Sequence, residues 1–245
     1  MNNPAPTNNK EDQMAKKSKA KKQKATPAAS KAEAGEMLVN FVLDETGSME
    51  VVRDATISGF NEYVNSMMKG AKGPIKFTLT KFDSRHTDII CNAVDIKDVP
   101  MLSRDTYTPG DMTPLYDAIA STVIATDEKL KAMPKKPTVL CVIMTDGEEN
   151  ASKQYTREKI FELIKAREAE GWRFVYLGAN QDAWSVGQAL GLAKGNVVTY
   201  DQSKTVKTFA MVGMASVKYA SHVGGGGQSA NYGNFFTEED DKSVS

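Results

Sequence analysis

Three short stretches of the chain carry hard oxygen atoms at the ends of apolar runs. The first is Phe41-Val42-Leu43-Asp44-Glu45-Thr46-Gly47-Ser48-Met49, in which a carboxylate is followed by hydroxyls at alternate positions. The second is Gly110-Asp111-Met112-Thr113-Pro114-Leu115, and the third is Val142-Ile143-Met144-Thr145-Asp146-Gly147. Together they supply Asp44, Thr46, Ser48, Thr113 and Asp146, with no clustered histidine or cysteine. Oxygen-only donor sets favour Mg²⁺, Mn²⁺ or Ca²⁺ over zinc or copper. The chemistry implied is one hard divalent ion held between three loops. Ser and Thr hydroxyls are small and neutral, and Gly47 between Thr46 and Ser48 lets both face one centre.

Each position also has a plainer reading. Ser48 is suited to cap the helix that follows it, and Thr113, just before Pro114, is suited to an N-cap with proline in the first turn. Asp111, Glu148 and Glu149 lie near the same mouth and read as solvated acids. His86 and His222 lack metal-ligand spacing and read as surface residues. Met67, Met68, Met211 and Met214 read as core packing. Phe235-Phe236 reads as part of a frayed tail, with a docking motif as the alternative.

The elements that would position these residues alternate along the chain. Met37–Leu43 is short and apolar, as a buried parallel strand should be. Val52, Thr56, Ile57, Phe60, Val64 and Met67 recur at helical spacing and predict a helix over 50–69. Ile75, Phe77 and Leu79 alternate with polar residues and predict a half-exposed strand ending near Asp83, with Thr87–Ala93 as its neighbour. Residues 95–112 read as loop. Leu115, Ile119, Val123 and Leu130 predict a helix, and Thr138–Met144, the most apolar run, the central strand. Thr156 is placed to cap a helix that buries Ile160, Leu163 and Ile164 and stops at Gly171. A strand over 172–177, a short helix over 183–190 ended by Gly191, an edge strand over 197–200 and a helix over 206–220 complete the order. Strands alternating with helices imply an α/β fold: a doubly wound, mostly parallel sheet with helices on both faces, in a single domain. Such sheets bind ligands beyond the carboxyl ends of their strands, where strand order reverses. Asp44 and Asp146 both fall at such ends.

The three fragments, taken in order, resemble the von Willebrand factor A (VWA) family and its metal-ion-dependent adhesion site. The family pattern Asp-x-Ser-x-Ser falls on Asp44, Thr46 and Ser48, its middle-loop Thr on Thr113 and its later Asp on Asp146. Thr46 stands where the family usually has Ser, which keeps the hydroxyl and adds a methyl. The stretch 174–182 is similar to that of stand-alone VWA proteins from bacteria and bacteriophages, and the likeness runs from Met37 to Val223. It implies Mg²⁺ (or Mn²⁺ or Ca²⁺) bound directly by the hydroxyls, with Asp44 and Asp146 often acting through water. It further implies a protein partner whose Asp or Glu completes the coordination, and in some branches a separate AAA-ATPase; the chain has no phosphate-binding loop of its own.

Other functions are also open at this point. Asp44-Glu45-Thr46-Gly47-Ser48 resembles the phosphorylation motif of P-type pumps and haloacid-dehalogenase-like phosphatases, in which Asp44 would be a covalent nucleophile. That chemistry needs a general acid at the position of Thr46 and a late acidic pair, where Asp146 stands alone. A scaffold or virion component with an incidental metal site is a further alternative. A non-enzymatic, metal-dependent protein-binding module is the function expected.

At 245 residues and zero formal charge, the chain suits one domain with tails and shows no global pull toward nucleic acid or membrane. Residues 1–36 lack Val, Ile, Leu and aromatics and carry eight lysines against four acids. They are expected to be disordered, and the basic cluster 16–24, without aromatics for stacking, is a weak nucleic-acid candidate. Residues 224–245, Gly-rich and then acidic, are expected to be a flexible tail, so that both tails are dispensable for folding. Cys91 and Cys141 read as buried free thiols in a reducing compartment. With no signal core and no membrane-length apolar run, a cytoplasmic protein is expected, in the host cytoplasm if phage-encoded.

Overall fold

One six-stranded sheet organises the chain, in a computed structural model that describes residues 1, 3, 35–179 and 182–245. The N-terminal tail expected to be disordered lies almost entirely outside the described residues. The strands are β1 (Met37–Asp44), β2 (Ile75–Phe82), β3 (Thr87–Asp95), β4 (Thr138–Thr145), β5 (Arg173–Ala179) and β6 (Val197–Tyr200), in the spatial order β3-β2-β1-β4-β5-β6. All pairings are parallel except β2–β3, which is antiparallel. The helices are α1 (Arg53–Gly70), α2 (Leu115–Lys131), α3 (Arg157–Ala169), α4 (Ala183–Ala189), α5 (Thr205–Gly224) and α6 (Glu238–Val244). A 3₁₀ segment over Gly47–Val52 leads into α1.

Alternation along β1 sorts the core into two layers. Met37, Val39, Phe41 and Leu43 face a cluster containing Phe60 and Tyr63 of α1 and Phe209 and Val212 of α5. Leu38 and Val42 face Ile119 and Val123 of α2 and Ile160 and Ile164 of α3. Phe41 is the hub of the first layer: it meets Phe60 edge-on at 5.5 Å and stacks on Phe209 at 6.0 Å between ring centroids. The α1 and α5 helices approach closely because Gly59 has no side chain; a Cβ there would stand 2.4 Å from the Phe209 ring. In the second layer Arg167 ion-pairs with Asp127 and lies over the Trp172 ring.

Several expectations are corrected, among them the core packing of Met68 and Met214, which are exposed. The β2 strand is buried rather than half-exposed. Its alternating polar residues face protein partners: Thr80 accepts the Thr122 hydroxyl of α2, Thr78 accepts the Ala93 amide, and Lys81 pairs with buried Glu45. The stretch after Gly224 is not a loose tail. Phe235, Phe236 and Val244 are buried in the same cluster as β1, and Tyr219 packs edge-on against Tyr232 and Phe235. Thr237 and Asp240 form a capping box that starts α6. The acidic run 238–241 therefore occupies the first turn of a helix, where the helix dipole favours negative charge. The domain thus extends beyond Val223, and Phe235-Phe236 is core rather than frayed end or docking motif.

Removal of residues 225–245 is accordingly expected to lower the melting temperature sharply or abolish soluble expression. Phe235→Ala alone should cost about 3 kcal/mol in urea unfolding, as for other buried aromatics. Unchanged unfolding of both variants would show that this segment is not part of the core.

Candidate metal centre

The order of the strands reverses between β1 and β4, and their carboxyl ends lie side by side. Leu43 pairs with Met144, which sets Asp44 beside Thr145. Asp44 has no exposed surface. One of its carboxylate oxygens accepts the Thr46 amide at 2.7 Å and the other accepts the Thr145 hydroxyl. Burial raises its pKa to about 6; the bonds from Thr145 and Thr46 oppose that rise, and the charge of Asp146 adds to it.

The turn after Asp44 carries the two hydroxyls. Thr46 Oγ1 and Ser48 Oγ are 3.3 Å apart, and Ser48 Oγ donates to Asp146 Oδ1 at 2.6 Å. The Asp146 carboxyl is also raised by burial, against the lowering effect of the Ser48 bond. Thr113 reaches the same spot from the long loop before α2. Its position is shown by Gly147: a Cβ there would stand 2.9 Å from Thr113 Oγ1 and 3.7 Å from Ser48 Oγ. Gly147 therefore keeps open a small space bordered by hydroxyls. All five residues singled out from the sequence meet at this mouth, with Asp44 beneath it and Ser48 at its exposed rim.

The plainer readings fare less well. Neither the 3₁₀ segment nor α2 starts with a side-chain cap from Ser48 or Thr113. The amide of Tyr116, in the first turn of α2, instead donates to Glu149 Oε2, with Ser152 Oγ also in range. Glu149 also accepts the amides of Ala151 and Ser152, so it is a structural anchor rather than a solvated acid. Asn150 clamps Thr113 by accepting its amide through the side chain and donating to its carbonyl through the backbone. Asp111 adopts a left-handed φ of 58°, accepts the Gly47 amide on its carbonyl and pairs with Arg85. Glu148 is exposed as expected.

Sequence spacing did not single out several residues that build the mouth. Glu45 and Lys81 form a buried ion pair at 2.7 Å, and both also bind the loop that delivers Thr113. Lys81 donates to the Thr106 carbonyl, and Glu45 accepts the Thr108 amide. The Tyr107 hydroxyl donates to the Asp44 carbonyl at 2.6 Å, and Arg53 holds the Tyr107 carbonyl. Gln202, just after β6, donates to Asp146 Oδ2 at 2.7 Å. Among the described residues no group of three His, Cys, Asp or Glu is placed to hold a metal. The donor chemistry here is of another kind: three neutral hydroxyls and two carboxylates, all hard oxygens, which suits Mg²⁺ or Mn²⁺.

With no cation, the Asp44 pKa of about 6 lies above the ordinary carboxylate value of 3.8. The folded state then holds this proton more tightly than the unfolded chain. Its contribution favours folding below about pH 4 and is lost as pH rises through about 6. In EDTA, Asp44→Asn should remove that loss, so its melting temperature should gain on the parent's between about pH 4 and about pH 7. Parallel melting curves for the two proteins would show that Asp44 does not titrate in this way.

No family model matches the chain, and no curated protein does. Among solved structures, the vWF domain of the type V pili tip protein Mfa5 from Porphyromonas gingivalis aligns with a TM-score of 0.57 at 11% identity, covering 78% of this chain and 97% of that one. Proximal thread matrix protein 1 from the mussel byssus aligns at 0.53 and 17% identity over 77% of this chain, which spans 47% of that protein's length. The manganese-loaded TRAP protein of Plasmodium vivax aligns at 0.50 and 17% identity, over 71% of each chain. At such identities the likeness is one of shape, and with the sheet order and the mouth between β1 and β4 it assigns the chain the von Willebrand factor A fold.

Proposed function

We propose that this domain is a non-catalytic binding module. In this reading it holds one Mg²⁺ or Mn²⁺ at the mouth between β1 and β4 and uses it to capture a protein carboxylate. The observation that carries the reading is the meeting of Thr46, Ser48, Thr113 and Asp146 around the space left by Gly147, above the buried Asp44. Thr46, Ser48 and Thr113 would supply neutral oxygens, Asp146 a charged one, and Asp44 would act from beneath through its neighbours. The ion would supply an electrostatic anchor for a carboxylate. With neutral hydroxyls and the single carboxylate of Asp146 at the mouth, part of a divalent charge would stay uncompensated, so an Asp or Glu from a partner would be attracted at short range. The manganese held by the TRAP structure and the pilus-tip setting of Mfa5 support this reading by analogy of fold.

The same geometry argues against Asp44 as a phosphoryl-accepting nucleophile. It has no exposed surface, and both of its carboxylate oxygens are engaged by Thr46 and Thr145. Among the described residues no helix is long and apolar enough to cross a membrane, which removes the pump architecture from the described part of the chain.

Calorimetric titration with Mn²⁺ tests the metal. Asp146→Ala and Thr46→Val should each weaken binding about tenfold or more, while Thr46→Ser stays within about twofold, because valine keeps the shape of threonine and deletes only its oxygen. Equal binding by parent and Thr46→Val would remove Thr46 from the donor set. Capture of a partner should disappear in EDTA, return with Mg²⁺ and fail in Asp146→Ala. A partner held equally well in EDTA would move the binding surface elsewhere.

A further inference from the structure

Asp146 has two carboxylate oxygens with separate partners. Oδ1 accepts the Ser48 hydroxyl at 2.6 Å, and Oδ2 accepts the Gln202 side-chain amide at 2.7 Å. The same Gln202 nitrogen lies 3.5 Å from the Ser48 carbonyl, so one side chain touches both loops that form this side of the mouth. Gln202 opens the turn between β6 and α5, and backbone and neighbouring side-chain bonds hold that turn. The Thr205 hydroxyl donates to the Gln202 carbonyl at 2.6 Å, Ser203 donates to the Asp201 carboxylate, and Lys204 donates to the Asp201 carbonyl. The Asp201 amide donates to the Val244 carbonyl at 2.8 Å, and the Lys204 ammonium meets the Ser245 carbonyl. The segment that completes the core thus also braces the turn that carries Gln202.

We propose that Gln202 is a positioning residue of the mouth, which fixes the rotation of the Asp146 carboxylate so that Oδ1 stays on the Ser48 side. The inference rests on the metal-binding reading above. A terminal carboxylate rotates broadly about its last bond, and holding it in one orientation has an entropic cost at each binding event. A donor fixed on the far oxygen meets that cost in advance. An amide suits the task because it donates without adding a positive charge that would repel a cation. Partners behind a metal ligand typically alter affinity by about 10–100-fold when removed.

Gln202→Met tests this, since methionine keeps the length of glutamine and lacks the donor; Gln202→Ala serves as a second variant. Melting in EDTA reports the fold, Mn²⁺ titration reports affinity, and the Mn²⁺ electron paramagnetic resonance line shape reports the symmetry of the ligand field. The expected result is melting unchanged in EDTA, Mn²⁺ affinity lowered about tenfold in both variants, and an altered line shape. If the parent binds Mn²⁺ and Gln202→Met binds equally well with the same line shape, Gln202 positions nothing. If both variants melt several degrees lower in EDTA, its role is structural and the proposal is overturned. If the parent itself binds no Mn²⁺, the metal reading falls first and takes this inference with it.

Discussion

A carboxylate with no exposed surface at the seam between two halves of a parallel sheet is a demanding thing to accommodate. Burying Asp44 opposes its charge, and the surrounding structure answers with donors: the Thr46 amide on one oxygen and the Thr145 hydroxyl on the other. These two bonds dictate much of the local geometry. The first folds the chain back tightly after β1, which sets the hydroxyls of Thr46 and Ser48 side by side. The second ties the ends of β1 and β4 together, so the residues after Thr145 emerge over the same point. Asp146 and Gly147 are brought to the mouth by a constraint imposed one layer below them.

The long segment before α2 faces a different problem. Between Val99 and Pro114 it has no regular ladder to satisfy its backbone, yet it must deliver Thr113 accurately. Polar side chains from the strands and helices take over. Asn61 of α1 binds both the amide and the carbonyl of Leu102, Arg53 holds two carbonyls, and the Glu45–Lys81 pair binds at Thr106 and Thr108. A buried ion pair adds little net stability because desolvation offsets attraction. Here it fixes where a loop lies, and each partner finds further backbone groups to bind.

The fold, and the strand ends and turn that carry the five oxygen-bearing residues, were legible in the sequence because their signals are local. Apolar runs ending in Asp44 and near Asp146 mark strand ends, and Thr46-x-Ser48 is a spacing within one turn. What stayed hidden depends on distant partners. Lys81 lies in an alternating strand, and nothing nearby indicates that Glu45 waits behind it. Gln202 has no spacing relative to Asp146 that a scan along the chain can register. Glu149 looks like any acid in a polar loop until α2 is seen to begin against it. The C-terminal stretch misled for a related reason: a run of glycines and a block of acids conceal two phenylalanines and a valine whose burial is decided by the far side of the sheet.

That last arrangement has a consequence for how the chain comes together in time. The β1 strand leaves the ribosome early, but the cluster it faces is closed by Phe209, Phe236 and Val244, which are synthesised among the last residues of this sequence. Its neighbour β4 also arrives only after the β2–β3 hairpin and α2 have formed or failed to form. Contacts this remote carry a large loop-closure cost and come late. During synthesis, the apolar face of β1 that these residues cover must therefore wait after its edges have been paired by β2 and β4, and nascent chains of this protein should depend on chaperone shielding until those residues emerge.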